Sequence, residues 1–259
     1  MSDAVRVLVI GAKGKMGQMV TAAVAAADGL EPVAGVDLPG AAGDSVVPVY
    51  ETIDAAVQAA RPKVAIDFTV AAAARRNLPR LVELGVAPVI GTTGLGEDEL
   101  EALDRLAVAR GVPAFMAPNF AIGAVLLMRF AAEAAKLFDY ADIIEYHHEN
   151  KRDAPSGTAL KTLAGMLAAR GTKFSDTPVD EHELLDRSRG GQDGFAHVHS
   201  VRMPGFVADQ DVLFGGPGET LRLSHRSIDR SCFMPGVVLA AKRVWSLDPG
   251  LTVGLETLL

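Results

Sequence analysis

Residues 145–159, EYHHENKRDAPSGTA, contain side chains that can bind an anion and transfer a proton. His147 and His148 are adjacent, and Lys151 comes four residues after His147. A histidine can exchange a proton near neutral pH, and a lysine beside it adds positive charge. Because adjacent side chains on a strand point to opposite faces, we expect only one histidine to face the site directly. The segment predicts a site that holds an anionic substrate and protonates it.

The PSGT turn of this segment is typical of the start of a helix. The first N–H groups of a helix have no partner within the helix and bind carboxylates or phosphates. Ser156 begins the turn. Gly157 has no side chain to cover the N–H groups, and the Thr158 hydroxyl can donate a hydrogen bond to the same ligand oxygen as these N–H groups. Lys151 alone is more often a solvated surface residue, but beside this turn it favours a carboxylate clamp. Asp153 is the expected partner that orients the loop.

A zinc site is a weaker interpretation of the histidines. His197 and His199 lie further along the chain, but no fixed ligand spacing joins them to His147 and His148. The single cysteine, Cys232, excludes an intrachain disulfide and a cysteine-rich metal site, and a small packed residue is its simplest interpretation. No metal is expected.

A second set of residues predicts a dinucleotide site. Gly11, Gly14 and Gly17 follow the apolar run at residues 5–10 and precede an alanine-rich helix. Glycines there let the backbone approach a pyrophosphate, and the helix N-terminus supplies N–H groups. Asp37, 20 residues after Gly17, can accept hydrogen bonds from the adenosine ribose. A tight turn between strand and helix is the structural alternative, but the two features together favour dinucleotide binding.

The glycine loop leaves the choice between NADH and NADPH open. A carboxylate at Asp37 repels a 2′-phosphate, which favours NADH. Lys13 and Lys15 could reach a 2′-phosphate, but they are equally well explained as solvated loop residues. We expect NADH to be used at least as well as NADPH. The other loop residues assigned to the cofactor are Ala12 and Met16.

Three further turns follow predicted strands of the same sheet, at the edge where ligands of such sheets collect. Each turn alone is an ordinary loop, but together with the glycine loop they indicate the nicotinamide side of a cofactor site. The residues expected to contact the cofactor there are Phe68, Thr69, Gly91, Thr92, Thr93, Ala117, Pro118, Asn119 and Phe120.

Composition and charge exclude several classes of protein. The chain has 259 residues, of which 49% are apolar and 22% charged, as in ordinary globular proteins. A formal charge of −7 and the lack of a basic run argue against nucleic-acid binding. No segment approaches the ~20 apolar residues of a membrane span, and the first apolar run is too short for a signal peptide. We expect a cytoplasmic protein.

The order of predicted elements indicates an α/β fold with two domains. In residues 1–120, short apolar strands alternate with alanine- and leucine-rich helices, which is typical of a Rossmann-type, doubly wound parallel sheet that binds a dinucleotide. Residues 121–233 predict a smaller α+β substrate domain with a mixed or antiparallel sheet. Within it, residues 172–194 are predicted to be a long polar loop. Residues 234–259 predict a C-terminal helix that returns to the first domain.

Taken together, these motifs resemble one enzyme family. GAKGKMG, DFT, GTTG, APNFAIG and EYHHxxKxDAPSGTA are similar to the 4-hydroxy-tetrahydrodipicolinate reductase (dihydrodipicolinate reductase) family, and the GAKGK and APNFAIGAVL stretches to its actinobacterial branch. The match extends to VHSVRMPG, LSHRSIDRSCFMPGV and GLTVGLETLL, and so covers nearly the whole chain. Two departures are Asp142, where the family commonly has glutamate, and residues 208–210 (ADQ), which replace a turn containing glycine and histidine.

The resemblance implies reduction of a cyclic, unsaturated dicarboxylate by NADH or NADPH with loss of water, in the diaminopimelate route to lysine. It implies that His147 is the proton donor and Lys151 the second catalytic group. The implied substrate contacts are His148 and the cradle of Gly157 and Thr158, with Arg230 as a weaker candidate for a second carboxylate.

The resemblance also implies a homotetramer whose contact surface is the sheet of the second domain. Two alternatives remain open at this point. One is another NAD(P)-dependent reductase of this architecture that acts on an imine or a semialdehyde. The other is a non-catalytic protein that senses NADH.

Overall fold

A computed structural model of the chain describes residues 4–176, 178–179 and 182–259. The chain divides into two compact units, one formed by Met1–Ala121 with Phe233–Leu259 and the other by Ile122–Cys232. Residues 1–3 of the first predicted domain, and residues 177, 180 and 181 of the predicted polar loop, lie outside the described residues.

The first unit is built on a parallel sheet, to which the described residues contribute seven strands. In pairing order these are Gly250–Val253, Pro113–Met116 (β6), Ala87–Ile90 (β5), Val64–Asp67 (β4), Val5–Ile10 (β1), Leu30–Val36 (β2) and Val49–Tyr50 (β3). Every residue of β4, β5 and β6 is buried, as expected for inner parallel strands covered by helices on both faces. The predicted Rossmann-type sheet is confirmed.

The helices of this unit begin and end at recognisable sequence signals. Those between the strands are α1 (Lys15–Ala26), α2 (Ile53–Ala60), α3 (Ala71–Glu83) and α4 (Glu97–Arg110). Thr52 caps α2, because its side chain accepts a hydrogen bond from the N–H of Ala55 at 3.2 Å. Helix α4 ends at Gly111, whose φ of 65° is a conformation that favours glycine.

The end of the chain is only partly the helix that the sequence predicts. Met234–Arg243 is helical, but Gly250–Val253 is a strand that pairs in parallel with β6. Its four residues, GLTV, are too few and too mixed in polarity to show a strand pattern, and its pairing depends on a strand far earlier in the chain. Asp104 of α4 fixes this strand by accepting a hydrogen bond from the N–H of Leu251 at 2.7 Å. The two-residue strand β3 was missed for the same reason.

The second unit has a mixed sheet, as predicted. In pairing order its described strands are Glu219–His225 (β11), Ala208–Gly216 (β10), Tyr140–His147 (β7), Ala196–Arg202 (β9) and Gly191–Asp193 (β8). Strands β7 and β9 are parallel, and the other neighbours are antiparallel.

One prediction for this unit is wrong. Strand β8 lies inside the segment predicted to be a loop, because its residues GQD are exposed and polar and gain their order from pairing with β9. Residues 208–210, which depart from the family pattern, begin β10. These polar residues can enter a strand because their buried groups have partners. Asp209, for example, accepts a hydrogen bond from the N–H of Ser227 at 2.8 Å.

Two helices, α5 (Ile122–Ala134) and α6 (Gly157–Arg170), pack on one face of this sheet. Ala141 and Ile143 of β7 enter the core with residues of both helices. Because alternate residues of a strand share a face, the next two residues on this face are Glu145 and His147. The core residues of β7 are therefore followed, on the same face, by two side chains of residues 145–159, the segment predicted to bind and protonate a ligand.

Candidate active site

A carboxylate–histidine pair on β7 is the centre of the candidate site. Glu145 and His147 are two residues apart, so their side chains share one face of the strand. The Glu145 side chain is 0% exposed, and its Oε2 lies 2.5 Å from Nδ1 of His147. Because Nδ1 is occupied by this contact, Nε2 is the ring nitrogen of His147 that remains to serve a ligand.

The same carboxylate forms a two-pronged ion pair with Arg202 of β9. Nη1 of Arg202 donates to Oε2 of Glu145 at 2.9 Å, and Nη2 donates to Oε1 at 2.7 Å. The parallel pairing of β7 with β9 brings Arg202 beside His147. Burial acts to raise the pKa of Glu145, but the hydrogen bonds from His147 and Arg202 outweigh burial and lower this pKa to about 2. Glu145 is therefore ionised at neutral pH.

Helix α6 begins where the sequence predicts, with Ser156 as its N-cap. The Ser156 hydroxyl accepts a hydrogen bond from the N–H of Ala159 at 3.2 Å, and the Ser156 N–H donates to Oε1 of Glu145 at 3.2 Å. Gly157 is exposed, and a Cβ added to it would meet no protein atom within 4 Å. The Gly157 N–H interacts with the Asp153 carboxylate and contributes to the lowering of its pKa, so this helix start attracts carboxylates.

The loop between β7 and α6 pairs Lys151 with Asp153. Nζ of Lys151 lies 2.7 Å and 2.9 Å from the two carboxylate oxygens of Asp153, and this contact holds the pKa of Asp153 below its usual range. The Asp153 carbonyl accepts a hydrogen bond from Nη2 of Arg202 at 2.7 Å. Arg202 and Glu145 thereby join the histidine, the helix start and the lysine loop in one network.

In the first unit, the glycine loop has the close backbone contacts that its pattern predicts. Gly11 has a φ of 73°, and a Cβ on Gly17 would collide with the carbonyl oxygen of Gly11. Gly14 is the N-cap of α1 and provides no side-chain hydrogen bond to the helix. The N–H groups of the first turn therefore have no side-chain cap, and the residues present fit a dinucleotide pyrophosphate.

Asp37 lies against this loop and braces it. Its Oδ2 accepts a hydrogen bond from the N–H of Lys13 at 2.8 Å, and its Oδ1 accepts one from the N–H of Leu38 at 2.8 Å. The Lys13 ammonium donates to the carbonyl of Ala41 at 3.0 Å, whereas Lys15 is exposed. The positions of both lysines are thus compatible with a solvated side chain and with one that binds a phosphate.

The turns after β4, β5 and β6 are brought together around a buried carboxylate. Asp67 is 0% exposed, and its Oδ1 accepts hydrogen bonds from the hydroxyls of Thr69 at 2.7 Å and Thr92 at 2.8 Å. The ring of Phe68 lies so close to Gly91 that a Cβ there would overlap it. The described structure therefore holds the DFT and GTTG turns as one surface.

The third turn joins this surface through its aromatic residue. The ring centroids of Phe68 and Phe120 are 5.5 Å apart, and Phe120 is buried. Asn119 stabilises the turn by accepting a hydrogen bond at Oδ1 from the N–H of Ala121 at 2.9 Å. Ala117 and Pro118 lie between β6 and these residues.

Within the part of the chain that the structure describes, no group of three or more His, Cys, Asp or Glu side chains is arranged to hold a metal ion. His197 and His199 instead share Asp142, with nitrogen–oxygen distances of 3.3 Å and 3.5 Å. The helices described there include none long and apolar enough to cross a membrane.

Comparison with known protein families assigns the whole chain to one family. A model described as "Dihydrodipicolinate reductase, N-terminus" matches residues 5–120, and one described as "Dihydrodipicolinate reductase, C-terminus" matches residues 123–259. The chain belongs to the dihydrodipicolinate reductase family. The resemblance read from its motifs is thereby confirmed, and the chain is a nicotinamide-dependent reductase of this family.

Individual relatives of the dihydrodipicolinate reductase family match over nearly their full length. The chain is 46% identical over 266 residues to the 4-hydroxy-tetrahydrodipicolinate reductase of Moorella thermoacetica, covering 98% of each. It is 46% identical over 258 residues to the enzyme of the same name from Nocardia farcinica, an actinobacterial relative, again covering 98% of each.

Solved structures support the same family assignment. The dipicolinate-bound dihydrodipicolinate reductase from Paenisporosarcina sp. TG-14 aligns with a TM-score of 0.89 and 36% identity, covering 99% of this chain and 100% of that one. An amine dehydrogenase from Mycobacterium smegmatis aligns over 97% of this chain and 95% of its own, with a TM-score of 0.63 and 15% identity, which shows a shared fold alone.

Not every predicted site residue joins the network around Glu145. His148 follows the end of β7 and is exposed, and its carbonyl accepts a hydrogen bond from the N–H of Lys151 at 3.2 Å. Arg230 begins a short 3-10 helix and is exposed, and the structure gives it no hydrogen bond or ion pair among the described residues. The roles of both residues stay predictions.

Two members of the network around His147, Glu145 and Arg202, are not among the residues predicted from the sequence. A signal for Glu145 was present, because its spacing of two from His147 places both on one face of any strand. Arg202 had no such signal. Its contact requires β9 to lie parallel to β7 in one particular register, which only the folded chain specifies.

Proposed function

We propose that this chain reduces 4-hydroxy-tetrahydrodipicolinate to tetrahydrodipicolinate with NADH or NADPH, in the diaminopimelate route to lysine. The observation that carries the proposal is the joining of a histidine, a lysine and an open helix start through one buried carboxylate. The names of the relatives support it, as does the dipicolinate, a cyclic dicarboxylate, bound to the Paenisporosarcina enzyme.

The residues of the glycine loop would hold the cofactor. A nicotinamide cofactor, when bound, supplies the hydride. Gly11, Gly14 and Gly17 leave room for its pyrophosphate beside the N-terminus of α1, and Asp37 accepts from the ribose hydroxyls. The surface formed by Phe68, Thr69, Gly91–Thr93 and residues 117–120 orients its nicotinamide end.

The residues around Glu145 bind the substrate and supply the proton. Hydride addition builds negative charge on an enamine-like atom of the substrate, and His147 donates a proton there. Lys151, the N–H of Gly157 and the Thr158 hydroxyl hold a carboxylate. To do so, Lys151 exchanges its contact with Asp153 for one with the substrate. Ser156 fixes the helix start, and His148 and Arg230 supply further substrate contacts.

The decisive experiment measures NADH oxidation with substrate generated in situ. We expect turnover by the wild type, a loss of roughly a hundredfold or more in kcat for His147→Gln, and unchanged NADH binding in that variant. His197→Gln, which changes a histidine on β9, is the matched control and should keep kcat within about threefold. Wild-type turnover in His147→Gln would remove that residue from the acid role.

A substrate panel separates the proposal from its alternatives. Faster turnover of a simple imine or a semialdehyde would identify a different reductase of this fold. Nucleotide binding without turnover of any substrate would favour the sensor.

We further infer that NADH serves at least as well as NADPH. The Asp37 carboxylate lies on the glycine loop, where it repels a 2′-phosphate, and the Lys13 ammonium already donates to the carbonyl of Ala41. Steady-state kcat/KM values for the two cofactors test this inference. A strong preference for NADPH would contradict it and would give Lys13 or Lys15 the phosphate-binding role.

We also infer a cytoplasmic homotetramer that assembles through the sheet of the second unit. The open face of that sheet carries partly exposed residues such as Tyr140 and Leu213, which a partner subunit could cover. Light scattering on the purified protein gives the mass directly. A monomer at micromolar concentration would contradict this part of the proposal without affecting the reaction.

A further inference from the structure

Glu145 has no direct part in the proposed reaction, yet both oxygens of its side chain have hydrogen-bond partners. Its carboxylate is 0% exposed and faces a histidine, an arginine and a backbone N–H. A buried charge is costly unless each of its oxygens has partners, so such a group is a strong constraint on its surroundings.

We propose that Glu145, held by Arg202, is a positioning residue that keeps a proton on Nδ1 of His147 and so makes Nε2 the nitrogen that serves the substrate. The proposal rests on the proposed function for what His147 protonates. The position of the proton on the His147 ring does not depend on which substrate binds.

The donors around the carboxylate determine which nitrogen of His147 carries the proton. Oε1 accepts from Nη2 of Arg202 at 2.7 Å and from the N–H of Ser156 at 3.2 Å. Oε2 accepts from Nη1 of Arg202 at 2.9 Å and lies 2.5 Å from Nδ1 of His147. An ionised carboxylate is an acceptor only, so a contact this short requires Nδ1 to donate.

This arrangement makes His147 a one-sided proton donor. In the imidazolium both nitrogens carry hydrogen, and the hydrogen on Nδ1 is held by Glu145. When the Nε2–H bond breaks, its proton passes to the substrate atom made electron-rich by hydride addition, and its electron pair returns to the ring. The product is a neutral imidazole that retains Nδ1–H. The negative charge of Glu145 also stabilises the imidazolium before transfer.

The charged groups around Glu145 and His147 also favour an ionised Glu145 and a proton on Nδ1 of His147. On β9 the charge is Arg202, and the other residue of that strand facing Glu145 is uncharged Ser200. On β10 the partner of Glu145 is Gln210, which donates to the Thr162 hydroxyl at 2.8 Å. In the loop, Lys151 is neutralised by Asp153. Glu145 is therefore the charge that contacts the His147 ring directly.

The change Glu145→Gln reverses the polarity of this contact. The amide oxygen belongs at the Oε1 position, because two donors that cannot change protonation face it there, the Ser156 N–H and Nη2 of Arg202. The Oε2 position faces only one such donor, Nη1 of Arg202, beside the His147 ring. The amide NH2 group then faces Nδ1 of His147 and donates to it. The neutral ring should switch its proton from Nδ1 to Nε2, and the imidazolium should lose its stabilising charge.

The first test is 15N magic-angle-spinning NMR of histidine-labelled protein, with the His147 signals identified by their loss in His147→Asn. We expect the wild type at alkaline pH to hold its proton on Nδ1 and Glu145→Gln to hold it on Nε2. A wild-type ring protonated on Nε2 overturns the proposal. The wild-type measurement needs no substrate and no folded variant of Glu145, so it is independent of the proposed function.

The second test is the pH dependence of turnover. Glu145→Gln should lower kcat by about tenfold to a hundredfold, move the alkaline limb of the kcat profile to lower pH, and leave the NADH dissociation constant within about twofold. Asp142→Asn, which changes a histidine-paired carboxylate on the same strand, should keep the wild-type profile. An unchanged profile in Glu145→Gln overturns the proposal. Absence of turnover in the wild type, with the expected NMR result, contradicts the proposed function alone.

Discussion

Strand β7 carries two carboxylates, Glu145 and Asp142, and each lies beside a histidine. Odd spacing puts them on opposite faces of the sheet, with Glu145 toward α6 and Asp142 away from it. Asp142 lies 3.3 Å from Nδ1 of His197, and Glu145 lies 2.5 Å from Nδ1 of His147. By composition alone the two pairs are equivalent.

Their surroundings make them different. The Asp142 side chain is 39% exposed and is shared by two histidines, whereas that of Glu145 is 0% exposed and is bound by Arg202 on both oxygens. Water can therefore replace the partners of Asp142 but not those of Glu145. A carboxylate–histidine pair becomes a directional proton donor only when the rest of the fold fixes the carboxylate.

The largest effect on stability should come from removing the cation on the Glu145 face. Arg202→Met leaves a buried carboxylate with no cation, which we expect to lower the free energy of unfolding by about 3–5 kcal/mol. Arg80→Met is the matched control, because the side chains of Arg80 and Asp54 are 43% and 56% exposed, and an exposed ion pair contributes little to stability. Urea denaturation measures both. Equal losses would show that burial does not distinguish the two ion pairs.

A smaller effect, on substrate affinity, should follow from changing the loop lysine. Lys151→Ala removes the cation of the proposed carboxylate clamp, so we expect KM for the substrate to rise by about tenfold or more and kcat to fall with it. The NADH dissociation constant should stay the same. Lys136→Ala is the control, since Lys136 is also a lysine paired with one carboxylate, that of Glu133 at 2.8 Å. If Lys151→Ala changed folding stability alone, Lys151 would be a surface residue.

The two faces of the sheet also show how much of the fold and of the site could be predicted from the sequence. The Rossmann-type order, the helix start at Ser156 and the pairing of Lys151 with Asp153 were predictable, because each depends on residues close together in the chain. The strand at Gly250–Val253 and the contact of Arg202 with Glu145 were not, because both depend on the register between distant strands.

Burial explains the other omissions. Glu145 and Asp67 belong to a residue type that is rarely buried, and no local pattern distinguishes the carboxylates that lie inside the fold. The GTTG and DFT turns were predicted to act together, but the reason, the shared hydrogen bonds to Asp67, became visible only in the folded chain. Sequence patterns thus predict which residues contact ligands, and the fold shows which residues hold those side chains in place.

The smallest expected effect concerns the loss of folding stability at acidic pH, to which Glu145 and Asp142 should contribute differently. The pKa of Glu145 is lowered to about 2 in the folded chain, from about 4.3 in an unfolded one. A lowered carboxyl pKa contributes stability that is fully present above the unfolded value and is lost as the pH falls toward the folded one. Between pH 5 and pH 3 the free energy of unfolding should therefore fall by on the order of 1–2 kcal/mol through this group. Comparing urea denaturation of wild type and Glu145→Gln at both pH values isolates this contribution. Glu145→Gln should lack that part of the slope and Asp142→Asn should retain it, so an identical slope in all three proteins would show that the Glu145–Arg202 pair does not hold the carboxylate ionised.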